Sequence, residues 1–139
     1  MDSLRTENLT KTYSSGRTAV AALRDAKAGI LLGTDTGNPY VVAGFSLHEE
    51  LALLVDAGLT PFEALRAGTA EAARCMEAEK EWGTLRLGAR ADLLLLEANP
   101  LEDVANANRR VGVVLAGRWL PEEELQGELE ERAARFEDR

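Results

Sequence analysis

Apolar residues in this chain follow helical spacing as far as Trp82 and mostly strand-like spacing after it. From Arg17 to Ala28, Ala19, Val20, Leu23 and Ala26 recur at helical intervals and predict an amphipathic helix, with Gly29 as its cap. Ile30-Leu31-Leu32 is a short apolar run that breaks at Gly33, which suits a buried strand. After a loop from Thr36 to Gly44, Leu47, Leu51, Leu54 and Val55 form the apolar face of a helix over Leu47–Ala57. Ser46 and Glu49 read as its capping box, and Gly58 ends it. Thr60-Pro61-Phe62-Glu63 restarts a helix, with a cap, a proline at the first position and a glutamate at the third. Leu65, Thr69 and Ala73 share one face of that helix, which is expected to last to about Met76.

Past Trp82-Gly83, Thr84-Leu85-Arg86-Leu87 alternates polar and apolar and predicts a half-buried strand. Gly88-Ala89-Arg90 is a turn, and Ala91 to Glu97, with four consecutive leucines, reads as a fully buried strand. Asn99-Pro100 breaks it, Leu101 to Asn108 is a loop with room for one helical turn, and Val111 to Leu115 is a third strand closed by Gly117. Pro121 opens a last helix whose first turn, Glu122 to Glu124, meets the positive end of the helix dipole. Leu125, Leu129 and Phe136 mark its apolar stripe. The chain thus divides into 1–81, where helices are joined by one strand, 82–120, where strands dominate, and a terminal helix over 121–139. The fold class is α/β.

Composition narrows the function. With 139 residues the chain is too short for a complete (β/α)8 barrel, which takes ~250. A net charge of −8 argues against nucleic acid or an anionic membrane surface as partner. No apolar run approaches the ~20 residues of a membrane span, and Met1-Asp2-Ser3-Leu4-Arg5 lacks the apolar core of a signal peptide. The cytoplasm is the default expectation, and the single cysteine, Cys75, fits it. One histidine, His48, together with Cys75 cannot supply the several imidazole or thiolate ligands of a typical zinc site.

The candidate chemistry centres on Asp35, one carboxylate just past an apolar run. At a strand end in an α/β fold it can coordinate a metal or shuttle a proton. An aspartate there can equally cap its own loop through backbone N–H groups, and position alone leaves both readings open. His48, in the first turn of the next helix, can face a ligand or serve as a packing residue. Tyr40, with Val41 and Val42, could give the intervening loop an apolar wall, which makes Tyr40 a candidate substrate-binding residue. Cys75, among alanines, reads as a small buried residue, Asp92 as a residue that orders the hairpin. Gly33 and Gly37 do not make a phosphate-binding loop.

Taken in order, these pieces resemble the C-terminal part of the amidohydrolase superfamily, closest to the imidazolonepropionase-like and prolidase-like metal-dependent hydrolases. The carrying motifs are Leu32-Gly33-Thr34-Asp35-Thr36-Gly37, Ser46-Leu47-His48-Glu49-Glu50-Leu51 and Ala57-Gly58-Leu59-Thr60-Pro61-Phe62-Glu63-Ala64-Leu65. Gly68-Thr69-Ala70-Glu71-Ala72-Ala73, Gly83 to Leu93 and Asn99-Pro100-Leu101-Glu102-Asp103 follow. The resemblance implies a (β/α)8 barrel with a small β-sandwich. Ile30–Thr34 would be the eighth barrel strand, with the strands at 84–97 and 111–116 in the sandwich. It further implies a divalent metal, zinc, and makes Asp35 the aspartate that binds it and takes a proton from the metal-bound water.

The other ligands of such enzymes, histidines and a lysine or glutamate on earlier strands, have no counterpart here. The expectation is therefore the last part of an enzyme that hydrolyses amide, peptide or cyclic amide C–N bonds in small amide or dipeptide-like substrates. Its active site would be incomplete in this chain alone, which would not hold the metal tightly. An isolated barrel strand leaves two open edges, and the leucines 93–96 need cover. The chain should dock on a partner that supplies the missing strands, or self-associate. The competing expectation is a non-catalytic α/β module for assembly or binding.

Overall fold

The computed structural model describes residues 16–36 and 42–137. Helix α1 spans Gly16–Asp25, α2 Phe45–Asp56, α3 Pro61–Ala67 and α4 Ala70–Cys75. Strand β1 (Leu93–Leu96), a 3₁₀ helix (Val104–Asn108), β2 (Arg110–Leu115), β3 (Arg118–Pro121) and helix α5 (Glu122–Glu137) complete the order. The three strands form one antiparallel sheet in the order β1-β2-β3. Leu94 faces Val113, and Val113 faces Leu120.

The helical part is organised by a small core. Leu51 and Leu54 of α2, Leu59, Ala64 and Ala67 of the α3 segment, and Val104 and Ala107 of the 3₁₀ helix are buried together. Val20, Ile30, Leu32, Val55 and Leu65 pack against them. Alanines at the contact let the short helices approach closely, and removing this apolar area from water is the main stabilising term. The 3₁₀ helix joins the two parts of the chain, because its buried side chains come from beyond Trp82 and sit in the helical core.

Several elements differ from expectation. Ile30–Thr34 is not a strand: it runs without ladder partners, because among the described residues no neighbouring strand reaches it. One backbone bond holds it, from Leu32 N–H to the Ala67 carbonyl at 3.3 Å. Thr84–Leu87 also forms no strand, and Leu85 and Leu87 are exposed. The expected helix from Thr60 to Met76 breaks in two, because Thr69 Oγ1 donates to the Leu65 carbonyl (2.8 Å) and competes with the backbone ladder. Ser46 does not cap α2. The helix starts at Phe45, and the Ser46 hydroxyl bonds the backbone N–H and carbonyl of Val42 instead. Cys75 is exposed rather than buried.

The strand of four leucines forms, but it is not enclosed: Leu93, Leu94 and Leu95 are 38%, 48% and 53% exposed. The extra strand, β3, arises from the turn Ala116-Gly117. Both residues have positive φ (49° and 84°), as a two-residue hairpin of the favoured twist requires. Asp92 orders this hairpin as expected. Its Oδ1 accepts the Ala116 N–H at 2.8 Å, tying the turn to the entry of β1. Arg90 pairs with its other oxygen. The capping box on α3 is complete: Thr60 Oγ1 accepts from Glu63 N–H, and Glu63 accepts from Thr60 N–H.

Candidate functional site

Asp35 lies at the end of the extended Ile30–Thr34 segment, exposed, with a left-handed φ of 48°. A non-glycine residue there is costly unless its surroundings hold it, and such positions concentrate at functional sites. Two contacts fix the segment that leads to it. Leu32 N–H donates to Ala67 of α3, and Gly33 N–H donates to Glu50 Oε1 of α2 at 2.9 Å.

Glu50 is the residue that sequence reasoning passed over. Its Oε2 is buried with no hydrogen-bond partner. A carboxylate oxygen withdrawn from water without a donor is costly. The signal was present in the spacing: Glu50 stands four residues before Leu54 and next to Leu51, on the edge of the apolar face of α2.

His48 sits half-buried on the same helix, but on its other flank. Residues two apart project about 160° away from each other around a helix. Glu50 reaches the Asp35 segment, whereas His48 faces Arg110 of β2. Burial first, and the Arg110 guanidinium second, push the His48 imidazole below its ordinary value, so its neutral form is favoured. Arg110 in turn is held by Glu122, with two hydrogen bonds of 2.9 and 3.0 Å. The contacts of α2 thus direct Glu50 to the segment before Asp35 and His48 to Arg110. Tyr40 lies outside the described residues.

Among the described residues, no three His, Cys, Asp or Glu side chains cluster so as to hold a metal ion. One carboxylate, even with Glu50 behind it, does not supply the three protein ligands of a catalytic zinc site. The described residues do not fit a metal by themselves, and no chemical step through one follows from them. An open groove of about 670 Å³ runs along the sheet, lined by Thr69, Trp82, Leu85, Leu93, Leu95 and Trp119 among others. No described helix is long and apolar enough to cross a membrane.

Comparison with known proteins gives this geometry its setting. The model of the amidohydrolase family matches residues 3–120. An imidazolonepropionase of Rubrobacter xylanophilus is 38% identical over 108 residues, covering 72% of this chain and 25% of that protein. An ochratoxinase of Aspergillus niger is 43% identical over 84 residues, covering 56% of this chain and 16% of the relative. The fold also superposes on the crystal structure of a Bifidobacterium longum protein assigned as a prolidase. Its TM-score is 0.71 at 35% identity, over 86% of this chain and 30% of the other. The chain thus spans about a sixth to a third of the length of these relatives. The family model matches well over half of the sequence, and the chain belongs to the amidohydrolase family.

Proposed function

We propose that this chain is the C-terminal portion of a metal-dependent amidohydrolase that hydrolyses amide, peptide or cyclic amide C–N bonds with a metal-activated water. The observation that carries the reading is Asp35: an exposed carboxylate on a strained turn, held by two elements, in a chain of this family. In an assembled enzyme Asp35 would be one of the residues that hold the metal, and the metal would supply an activated water beside its carboxylate. The remaining ligands come from polypeptide beyond the described residues. Zinc is the proposed metal, small amides or dipeptide-like molecules are the proposed substrates, and a reducing cytoplasm is the proposed setting.

The same reading gives the surface a role. Ile30–Thr34 has no ladder partner among the described residues, and Leu85, Leu87 and Leu93–Leu95 are exposed. An apolar surface of this kind marks an interaction site. Polypeptide supplying the other barrel strands would cover the first, and sandwich strands the second. Expression of the chain together with the polypeptide encoded upstream tests the proposal. Bound zinc and turnover of a dipeptide panel are expected, with turnover abolished by Asp35→Asn. Full turnover in the Asp35→Asn protein would overturn it.

A further inference from the structure

We infer that Glu50 is a positioning residue for Asp35, acting through the backbone of Gly33; the inference rests on the reading of Asp35 given above. Asp35 stands two residues beyond Gly33, and its φ of 48° is a conformation that an unrestrained aspartate seldom keeps. A charged side chain reaches this segment through the 2.9 Å bond from Gly33 N–H to Glu50 Oε1. A bond from an amide to an ionised carboxylate is about twice as strong as one to a neutral acceptor.

Among the described residues, the Gly33 amide is the one group that bonds the Glu50 carboxylate. Oε2 is buried and unpartnered, so this side chain carries a desolvation cost that an apolar residue on the same face would avoid. Leu51 and Leu54 beside it show that the face is otherwise apolar. A residue chosen for packing would follow them. A carboxylate with one oxygen buried is explained if its task is to grip the Gly33 amide and set the direction in which Asp35 leaves the segment. Its second oxygen then remains available for an N–H or cationic donor of the polypeptide that covers Ile30–Thr34, which would tighten the grip on assembly.

The 139-residue chain alone is enough for the test, by ¹H–¹⁵N spectroscopy of the wild type, Glu50→Ala and Glu50→Gln. In Glu50→Ala the Gly33 amide is expected to shift upfield and exchange with solvent about five- to tenfold faster, as the loss of one hydrogen bond implies. The Asp35 backbone shifts should move toward random-coil values. In Glu50→Gln the amide oxygen still accepts from Gly33, though more weakly, so both residues should move less than in Glu50→Ala. Resonances of Leu51 to Val55 show in each case whether α2 is intact, and Glu49→Ala serves as the neighbouring control. Unchanged Gly33 and Asp35 resonances in Glu50→Ala would overturn the inference. So would equal displacement in Glu50→Gln with α2 intact. Failure of the underlying reading shows elsewhere: turnover of the completed enzyme that survives Asp35→Asn removes the catalytic sense of the grip, whatever the spectra report.

Discussion

A Cβ atom added to Gly68 would stand 2.6 Å from Cδ2 of Leu32 and 3.3 Å from its Cβ. The end of α3 therefore lies directly against the segment that carries Asp35, at a distance only glycine permits. Gly68→Ala should push Leu32 away and lower stability by about 1–3 kcal/mol, the usual cost of overpacking. Gly83→Ala should cost more, since its φ is 92° and its Cβ would meet the Thr69 carbonyl at 2.9 Å and the Ala73 Cβ at 2.6 Å. Urea unfolding of both variants checks the size and the order of the two effects.

Thr60 and Glu63 satisfy each other's backbone N–H groups at the start of α3. Thr60→Ala should cost about 1 kcal/mol, the ordinary price of a lost N-cap. Hydrogen exchange in the first turn of α3 should rise with it, while the β-sheet amides stay unchanged.

His48 is the single histidine of the sequence, so its titration can be followed without ambiguity. Burial and the Arg110 charge both hold its imidazole below the ordinary value. Arg110→Gln should raise it part of the way back, because burial, the larger cause, remains. In the wild type the unfolded chain takes up the proton more readily than the folded one. The stability this group contributes is therefore present above the ordinary imidazole value and is lost as the pH falls through the lowered folded value. NMR titration of the His48 ring checks the direction.

Glu122 is held below the usual carboxylate range by its hydrogen bonds to Arg110 and to Gln126. Because its folded value is the lower one, its stabilisation is complete above the ordinary carboxylate value and disappears as the pH falls through the depressed one. Glu122→Gln should therefore weaken the protein at neutral pH by about 1 kcal/mol or less, the range of partly exposed pairs. It should also flatten the acid side of its pH–stability curve. Melting temperatures between pH 7 and about pH 3 measure this.

The helices were legible because their signals are local. The capping box at Thr60, the stop at Gly58 and the apolar spacing of Leu51 and Leu54 need no distant partner. The strands were legible only where the chain itself supplies neighbours. Leu93–Leu96 and Arg110–Leu115 pair with each other, whereas Ile30–Thr34 carries the same kind of apolar run and finds no ladder among the described residues. The hairpin at Ala116-Gly117 was missed because alanine at a positive φ gives no turn signal. Asp35 stood out by its place after an apolar run. Glu50 did not, because a glutamate in a helix reads as solvated until its neighbours' burial is known.

On the proposed function, this chain contributes one carboxylate to a metal-dependent hydrolase and does not make up the site alone. Elemental analysis of the purified 139-residue chain, together with a dipeptide hydrolysis assay on the same sample, tests it most directly. Far less than one zinc per chain and no turnover are expected. Stoichiometric zinc with turnover that is lost in Asp35→Asn would contradict it.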